Sequence, residues 1–325
     1  MARGEGADFN IPFEKRLLSI KNIKNLLKIR KILKAEGFDA IILNTNLAAF
    51  IIRLALPKRL KKTTKVINFV HGYLFSRGSR AFGGAVFLLC EMLVRRKCDA
   101  IITMNSDDYR AAIRYRLARS VVASRGVGIR AAQNFSPPER IREEYFPSAR
   151  YVIAFVGELS RRKNQAFLIK CLPRIRRTLG DVRLCLVGDG RERDKLLRLV
   201  RRLSLDDAVR LLGYREDAAD FIRACDLYVS PSLSEGMPLN VIEALTLGKT
   251  VLVSRIKGHR DLVSDGVNGY LYDPFDTEEF TSLACRILIG GGLDPIVVRD
   301  SASRYARSGA LFEILSIFRD EIGEI

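Results

Sequence analysis

Two glutamates, Glu235 and Glu243, are separated by seven residues in the stretch Ser230 to Gly248, SPSLSEGMPLNVIEALTLG. The first falls in a Gly-containing loop after an apolar strand pattern, and the second falls inside the helix pattern that follows. Both can face a ligand lying on the helix start, where a carboxylate accepts two hydrogen bonds from a sugar or ribose diol. Pro238 suits the first turn of that helix. Backbone amides near Gly236, Met237 and Leu239 would offer a ligand the positive end of the helix dipole. A packing helix flanked by two surface carboxylates is the plainer explanation of the same spacing.

A cationic counterpart lies in Val156 to Gln165 (VGELSRRKNQ), a strand end, a turn at Gly157 and three cations, Arg161, Arg162 and Lys163. Such a cluster can neutralise a diphosphate leaving group, although a solvated basic helix start has the same composition. Leu186 to Arg191 (LVGDGR) is a further strand-to-helix turn, either a tight turn or a nucleotide contact. The chain has two histidines: His71 ends the strand pattern of VINFVHGYL, and His259 lies on the turn RIKGHRDL. Asn105 ends another strand pattern, in IITMNSDDY.

These positions need strands alternating with helices, because open α/β sheets bind ligands beyond the carboxyl ends of their strands. The first half supplies strands at Asp39 to Leu43, Lys65 to Val70 and Ala100 to Met104, with a helix at Leu47 to Leu56. The second half supplies them at Tyr151 to Val156, Arg183 to Val187, Val209 to Leu212, Leu227 to Ser230 and Thr250 to Ser254. Apolar strands alternating with helices predict two parallel sheets. The breaker-rich loop Gln133 to Pro147 separates the two series, so the domains are expected at 1–148 and 149–299. A final helix from about Asp300 to Glu321, within 300–325, is expected to pack back on the first domain.

The segment EGMPLNVIE closely resembles the E-x7-E signature of family 4 GT-B glycosyltransferases, and RIKGHRDL with GVNGYLY resembles the bacterial capsule and exopolysaccharide members. The resemblance implies an α/β GT-B fold of two Rossmann-like, doubly wound domains. It implies that Glu235 contacts the transferred sugar, Glu243 the nucleotide ribose and Lys163 the pyrophosphate, with Gly157, Leu159 and Lys163 in register with the family's G-x-L-x-x-x-K. Glu158 stands where many members have Arg, so Arg161 or Arg162 is expected to supply the second charge. By the same resemblance Gly236, Met237, Pro238 and Leu239 line the donor, His71 meets the donor sugar or an acceptor hydroxyl, and Asn105 lines the acceptor side. The implied reaction moves a sugar with retention from a UDP-sugar or other NDP-sugar to a hydroxyl of a lipid-linked saccharide in surface polysaccharide synthesis, with no metal and no other cofactor. Family members begin with a β-α-β block for which this chain has no counterpart, so an incomplete N-terminal domain is expected, and an inactive remnant is the main rival reading. A sugar-nucleotide 2-epimerase is argued against by EGMPLN.

The net charge of +18 implies an anionic partner. Phe13 to Glu36 carries eight Lys or Arg against two Glu and spaces its apolar residues as an amphipathic helix. It is expected to rest on the anionic inner leaflet, its apolar face buried in lipid, on the sheet, or on both. No nucleic-acid motif appears, and 8% aromatic residues argue against that partner. Six cysteines without CxxC spacing, mostly in apolar segments, are expected to be reduced and to hold no zinc. No apolar run is long enough to span a bilayer and Met1 to Asn10 has no apolar signal core, so the protein is expected in the cytoplasm, peripheral to the membrane.

Overall fold

The computed structural model describes residues 9–14, 19–73, 75, 82–129 and 135–323. Two compact units result: 1–124 with 313–325, and 125–312.

The first unit holds a parallel sheet in the order β1-β2-β3-β4, from Ala40–Leu43 (β1), Lys65–Val70 (β2), Ala100–Thr103 (β3) and Ser120–Ala123 (β4). The order never reverses, so among the described residues this sheet has no point where connections part to opposite faces. β4 and the helix Phe82–Val94 are elements that the sequence pattern left unassigned.

The basic helix is shorter than its periodicity suggests. It runs Ile20–Glu36, capped by the Ser19 side chain and ended by left-handed Gly37. The expected start at Phe13 is not helical, and residues 15–18 lie outside the described residues. Ile29 and Leu33 pack into the core while Ile20, Ile23 and Leu27 stay exposed. The apolar residues of the helix are thus divided, Ile29 and Leu33 being buried by the protein and Ile20, Ile23 and Leu27 not.

Arg53, fully buried, reaches Glu91 at 2.6 Å and donates through Nε to the Ala49 carbonyl. Removing one partner strands the other charge without water. Arg53→Met is expected to cost about 3–5 kcal/mol in urea unfolding. The double variant Arg53→Met/Glu91→Leu should cost less than the single one; equal losses would mean that lost packing, not the stranded carboxylate, sets the cost.

The second unit is doubly wound. Its strands are Tyr151–Val156 (β5), Val182–Val187 (β6), Val209–Gly213 (β7), Leu227–Ser230 (β8), Val251–Ser254 (β9) and Gly269–Tyr272 (β10), ordered β10-β9-β8-β5-β6-β7. Side chains alternate faces along each strand. Ile153, Phe155, Leu184, Leu186 and Val229 join one core with the helices Gln165–Leu179 and Thr277–Gly290. Val152, Ala154, Cys185, Val187 and Val253 join the other with Leu239–Thr246 and Pro295–Ala302. Near-continuous apolar strands are what a sheet covered on both faces requires.

Two boundaries differ from the sequence reading. The breaker-rich loop contains a helix, Pro138–Tyr145, and its Ile141 with nearby Phe146 is buried in the second unit's core, so the unit begins at Arg125 and not near residue 148. The expected single C-terminal helix is two helices, Pro295–Ala302 and Arg307–Ile322. Between them the backbone of Ile129 accepts from the Arg307 amide and donates to the Tyr305 carbonyl, which takes those groups from a continuous helix. Residues 313–325 group with the first unit.

Among the described residues no single helix is long and apolar enough to cross a membrane. One sharply bent pair, Thr277–Gly290 with Pro295–Tyr305, passes the test jointly, and Phe280, Ile287 and Val298 on it are buried in the second unit. The six cysteines are unpaired, five of them buried.

Candidate active site

In the second sheet the order reverses between β5 and β8, which pair at Ile153↔Leu227 and Ala154↔Tyr228. The helix after β5 covers one face and the helix after β8 the other. The loops leaving the two strands must therefore part, opening a crevice at their carboxyl ends. Gly157 to Asn164 follows β5; Pro231 to Pro238 follows β8.

Hydrogen bonds staple these loops. The Leu233 amide donates to the Arg162 carbonyl at 2.8 Å, Asn164 Nδ2 to Pro231 O at 3.3 Å, and Asn240 Nδ2 to Val156 O at 2.7 Å. Asn164 takes a left-handed conformation that turns the chain into its helix. At the centre, Glu235 is 7% exposed, its Oε1 is 2.7 Å from Lys163 Nζ, and its Oε2 accepts from Arg162 at 2.8 Å. Burial raises the Glu235 pKa, but Lys163 and then Arg162 outweigh it and hold the carboxyl below its ordinary value. Lys163 is itself buried. An ionised carboxylate and two cations thus share one water-poor point at the crevice.

Arg161 is not part of this group. Its side chain is exposed and lies 3.6 Å from Glu192, so Arg162 supplies the second charge. Pro238 is the residue before the helix Leu239–Thr246 instead of lying in its first turn, and the amides of Leu239 and Asn240 have no acceptor among the described residues. Met237 packs on the core and Leu239 is exposed. Glu243, in the second turn, is half-buried, and its carboxylate has no hydrogen-bond or ion-pair partner among the described residues; burial raises its pKa.

Gly157 is needed because its φ is +147° and an added Cβ would press the Phe155 ring at 3.3 Å. The LVGDGR turn packs backbone to backbone on this loop: Gly157 N donates to Val187 O and Leu159 N to Asp189 O, both at 2.9 Å. Of the two readings of that turn, the geometry accounts for its glycines by close packing.

His259 serves this loop from beneath. It is fully buried, Nδ1–H donating to the Ser254 carbonyl at 2.8 Å while Nε2 lies 3.2 Å from Ser230 Oγ. Ser254 Oγ donates to the Ser232 carbonyl, three residues before Glu235. Burial pushes the imidazole pKa down to about 4, with the Ser254 carbonyl and Glu235 offsetting only part of that fall. Folding therefore favours the neutral ring, and the stability this confers is complete above pH 6.5 and is lost as pH falls toward 4. The loss amounts to about 3 kcal/mol. Urea midpoints at pH 7 and pH 4.5 should differ less in His259→Gln than in the natural protein; an unchanged difference would assign the acid sensitivity to other groups. No motif marked the serines; a histidine after a Gly turn was their only signal.

In the first unit, His71 follows β2. It is exposed and tilted on Phe69, and its ring nitrogens have no hydrogen-bond partner among the described residues. Partial burial lowers its pKa, which favours the neutral ring. Asn105 is committed otherwise than expected. It is buried, its Oδ1 accepts from the Asp108 amide and its Nδ2 donates to Asp108 Oδ2 at 2.7 Å, so it caps the helix Ser106–Arg114.

The family described as "Glycosyl transferases group 1" matches residues 150–289, and "Glycosyltransferase Family 4" matches residues 5–130. A putative glycosyltransferase of Bacillus subtilis, EpsD, is 25% identical over 279 residues, 84% of this chain and 73% of its own. The Escherichia coli UDP-Gal:alpha-D-GlcNAc-diphosphoundecaprenol alpha-1,3-galactosyltransferase is 27% identical over 279 residues, 82% of this chain and 71% of its own. Among solved structures, Anabaena HepE in complex with UDP superposes with a TM-score of 0.76 at 21% identity, covering 93% of this chain and 83% of HepE. That likeness extends to the two parallel α/β sheets and bears on the fold alone. The chain belongs to the family 4 glycosyltransferases of the GT-B fold.

Proposed function

We propose that the enzyme moves a sugar, with retention, from a UDP-sugar to a hydroxyl of a lipid-linked saccharide during assembly of a bacterial surface polysaccharide. The observation that carries this reading is the Glu235–Lys163–Arg162 group at the β5/β8 crevice, beside the open amides of Leu239 and Asn240. A diphosphate leaving group develops negative charge, and two cations with a helix N-terminus stabilise it where water is scarce. In this reading no metal is required, Glu235 positions the transferred sugar through its fixed carboxylate, and Glu243 is left for the ribose diol. His71 is assigned to the transferred sugar or the acceptor hydroxyl. UDP as nucleotide is supported by HepE, solved with UDP, and a lipid-linked acceptor by the E. coli relative.

The exposed apolar stripe Ile20, Ile23 and Leu27, alongside Lys24, Lys28 and Lys31, suits contact with an anionic leaflet. Calorimetric titration with UDP tests the donor reading. Glu243→Ala is expected to weaken UDP by about 10- to 100-fold, the value of a hydrogen bond to a charged group. Unchanged affinity in Glu243→Ala would remove the ribose assignment, and no UDP binding by the natural chain would remove the donor site.

A further inference from the structure

Two cations hold the Glu235 carboxylate, and a row of buried polar side chains reaches it as well. Ser230 ends β8, Ser232 follows it on the loop toward Glu235, Ser254 ends β9, and His259 opens the short helix His259–Leu262. All four are fully buried. The Ser232 hydroxyl donates to the Glu235 carboxyl and helps to keep it ionised.

The hydrogens of this row can be placed one by one. The Ser254 carbonyl lies 2.8 Å from His259 Nδ1, so that nitrogen carries a hydrogen. Ser254 Oγ gives its own hydrogen to the Ser232 carbonyl at 2.5 Å. Burial keeps the imidazole neutral, which leaves a lone pair on Nε2. A buried lone pair needs a donor, and the Ser230 hydroxyl lies 3.2 Å from it. Ser230 Oγ and Ser232 Oγ stand 3.4 Å apart, well beyond the roughly 2.8 Å of an O–H···O bond. Two hydroxyls keep that separation when neither points at the other. Ser230 turns its hydrogen to the imidazole, and Ser232 turns its hydrogen to the carboxylate.

We propose that His259 is a positioning residue for sugar transfer: its bare nitrogen takes the Ser230 hydrogen and so leaves Ser232 free to hold Glu235 against the transferred sugar. The proposal rests on the reading that Glu235 positions that sugar. Without the ring acceptor, the Ser230 hydrogen turns to Ser232 Oγ. Closing the pair to hydrogen-bond length brings the two oxygens about 0.6 Å nearer and draws Ser232 from Glu235. A shift of that size beside the reacting atoms is worth about tenfold in rate. UDP lacks the transferred sugar, so its affinity does not depend on this row. A histidine that only filled space beneath the loop would affect UDP and the sugar alike.

Two amide side chains separate the ring nitrogens. Asparagine reaches the position of Nδ1 and glutamine that of Nε2, so His259→Asn loses the acceptor for Ser230 and His259→Gln keeps it. In crystal structures of the two variants with UDP, the Ser230 to Ser232 oxygen distance should close toward about 2.8 Å in His259→Asn and stay near 3.4 Å in His259→Gln. Hydrolysis of UDP-glucose or UDP-galactose to UDP and free sugar should show kcat about tenfold lower in His259→Asn and within about threefold of the natural chain in His259→Gln. The calorimetric Kd for UDP should be the same in all three. Should His259→Asn not fold, Ser232→Ala deletes the last link by a single oxygen, and its kcat should fall by about tenfold with UDP affinity kept.

An unchanged oxygen distance or an unchanged kcat in His259→Asn overturns the proposal. So does an equal loss of kcat in His259→Gln, or a parallel loss of UDP affinity, which would assign His259 to the fold of the loop. Glu235→Gln tells the two readings apart. If it hydrolyses the donor like the natural chain, the sugar assignment of Glu235 fails; if it is slower and His259→Asn is not, the row alone fails.

Discussion

A Gly188→Ala chain is expected to yield little folded second unit. The added Cβ would stand 2.1 Å from the Gly157 carbonyl oxygen and 2.8 Å from its carbon, and φ at this position is +132°. Both obstacles are backbone, held by the Gly157 N to Val187 O and Gly188 N to Gly213 O bonds, so neither can swing aside. Relief requires parting the β5 and β6 loops, and the expected cost exceeds about 4 kcal/mol, a value reached only by severe steric or buried-charge changes. Gly266→Ala is the matched control: its φ is +74°, also left-handed, but nothing lies within 4 Å of the added atom. It should cost about 1–2 kcal/mol from conformation alone. Soluble yield and thermal midpoint of the two variants separate crowding from strain, and equal losses would show that close packing of the two loops is not the cause.

The second large effect is catalytic. Lys163→Met should lower turnover of the UDP-sugar by about 10²- to 10³-fold, the loss seen when one preorganised donor to developing charge is removed. It should also destabilise, because buried Glu235 then has Arg162, whose side chain is 46% exposed, as its one cation beside the Ser232 hydroxyl. That cost is on the order of 2 kcal/mol, below the loss for a pair sealed from water. The two effects separate in Lys163→Met/Glu235→Gln. Neutralising the stranded carboxylate should restore most of the thermal midpoint and none of the turnover. Recovery of turnover with stability would demote Lys163 to a structural ion-pair partner.

How far these residues could be foreseen depends on how local each constraint is. Gly157, Lys163, Glu235 and Glu243 each lie within one strand-turn-helix passage, where the turn, the helix start and the apolar strand are written in consecutive residues. Which of three adjacent cations faces Glu235 is not local. It follows from the left-handed turn at Asn164 and from the Leu233 to Arg162 backbone bond, which direct Arg162 and Lys163 inward and leave Arg161 to Glu192. Likewise Asn105 looked like a strand-end site residue, and Asp108 three residues later claimed both of its polar ends.

The sequence by itself determined the alternation of strands and helices in both halves, the both-faced apolar strands and the chemistry of the crevice loops. Periodicity and turn residues are properties of neighbouring positions and need no partner to be read. Tertiary structure decided strand order, and with it the reversal between β5 and β8 that opens the crevice. It also decided that buried His259 is a neutral support held by Ser230 and Ser254. Both outcomes depend on pairing between segments far apart in the chain, which no run of neighbouring residues records.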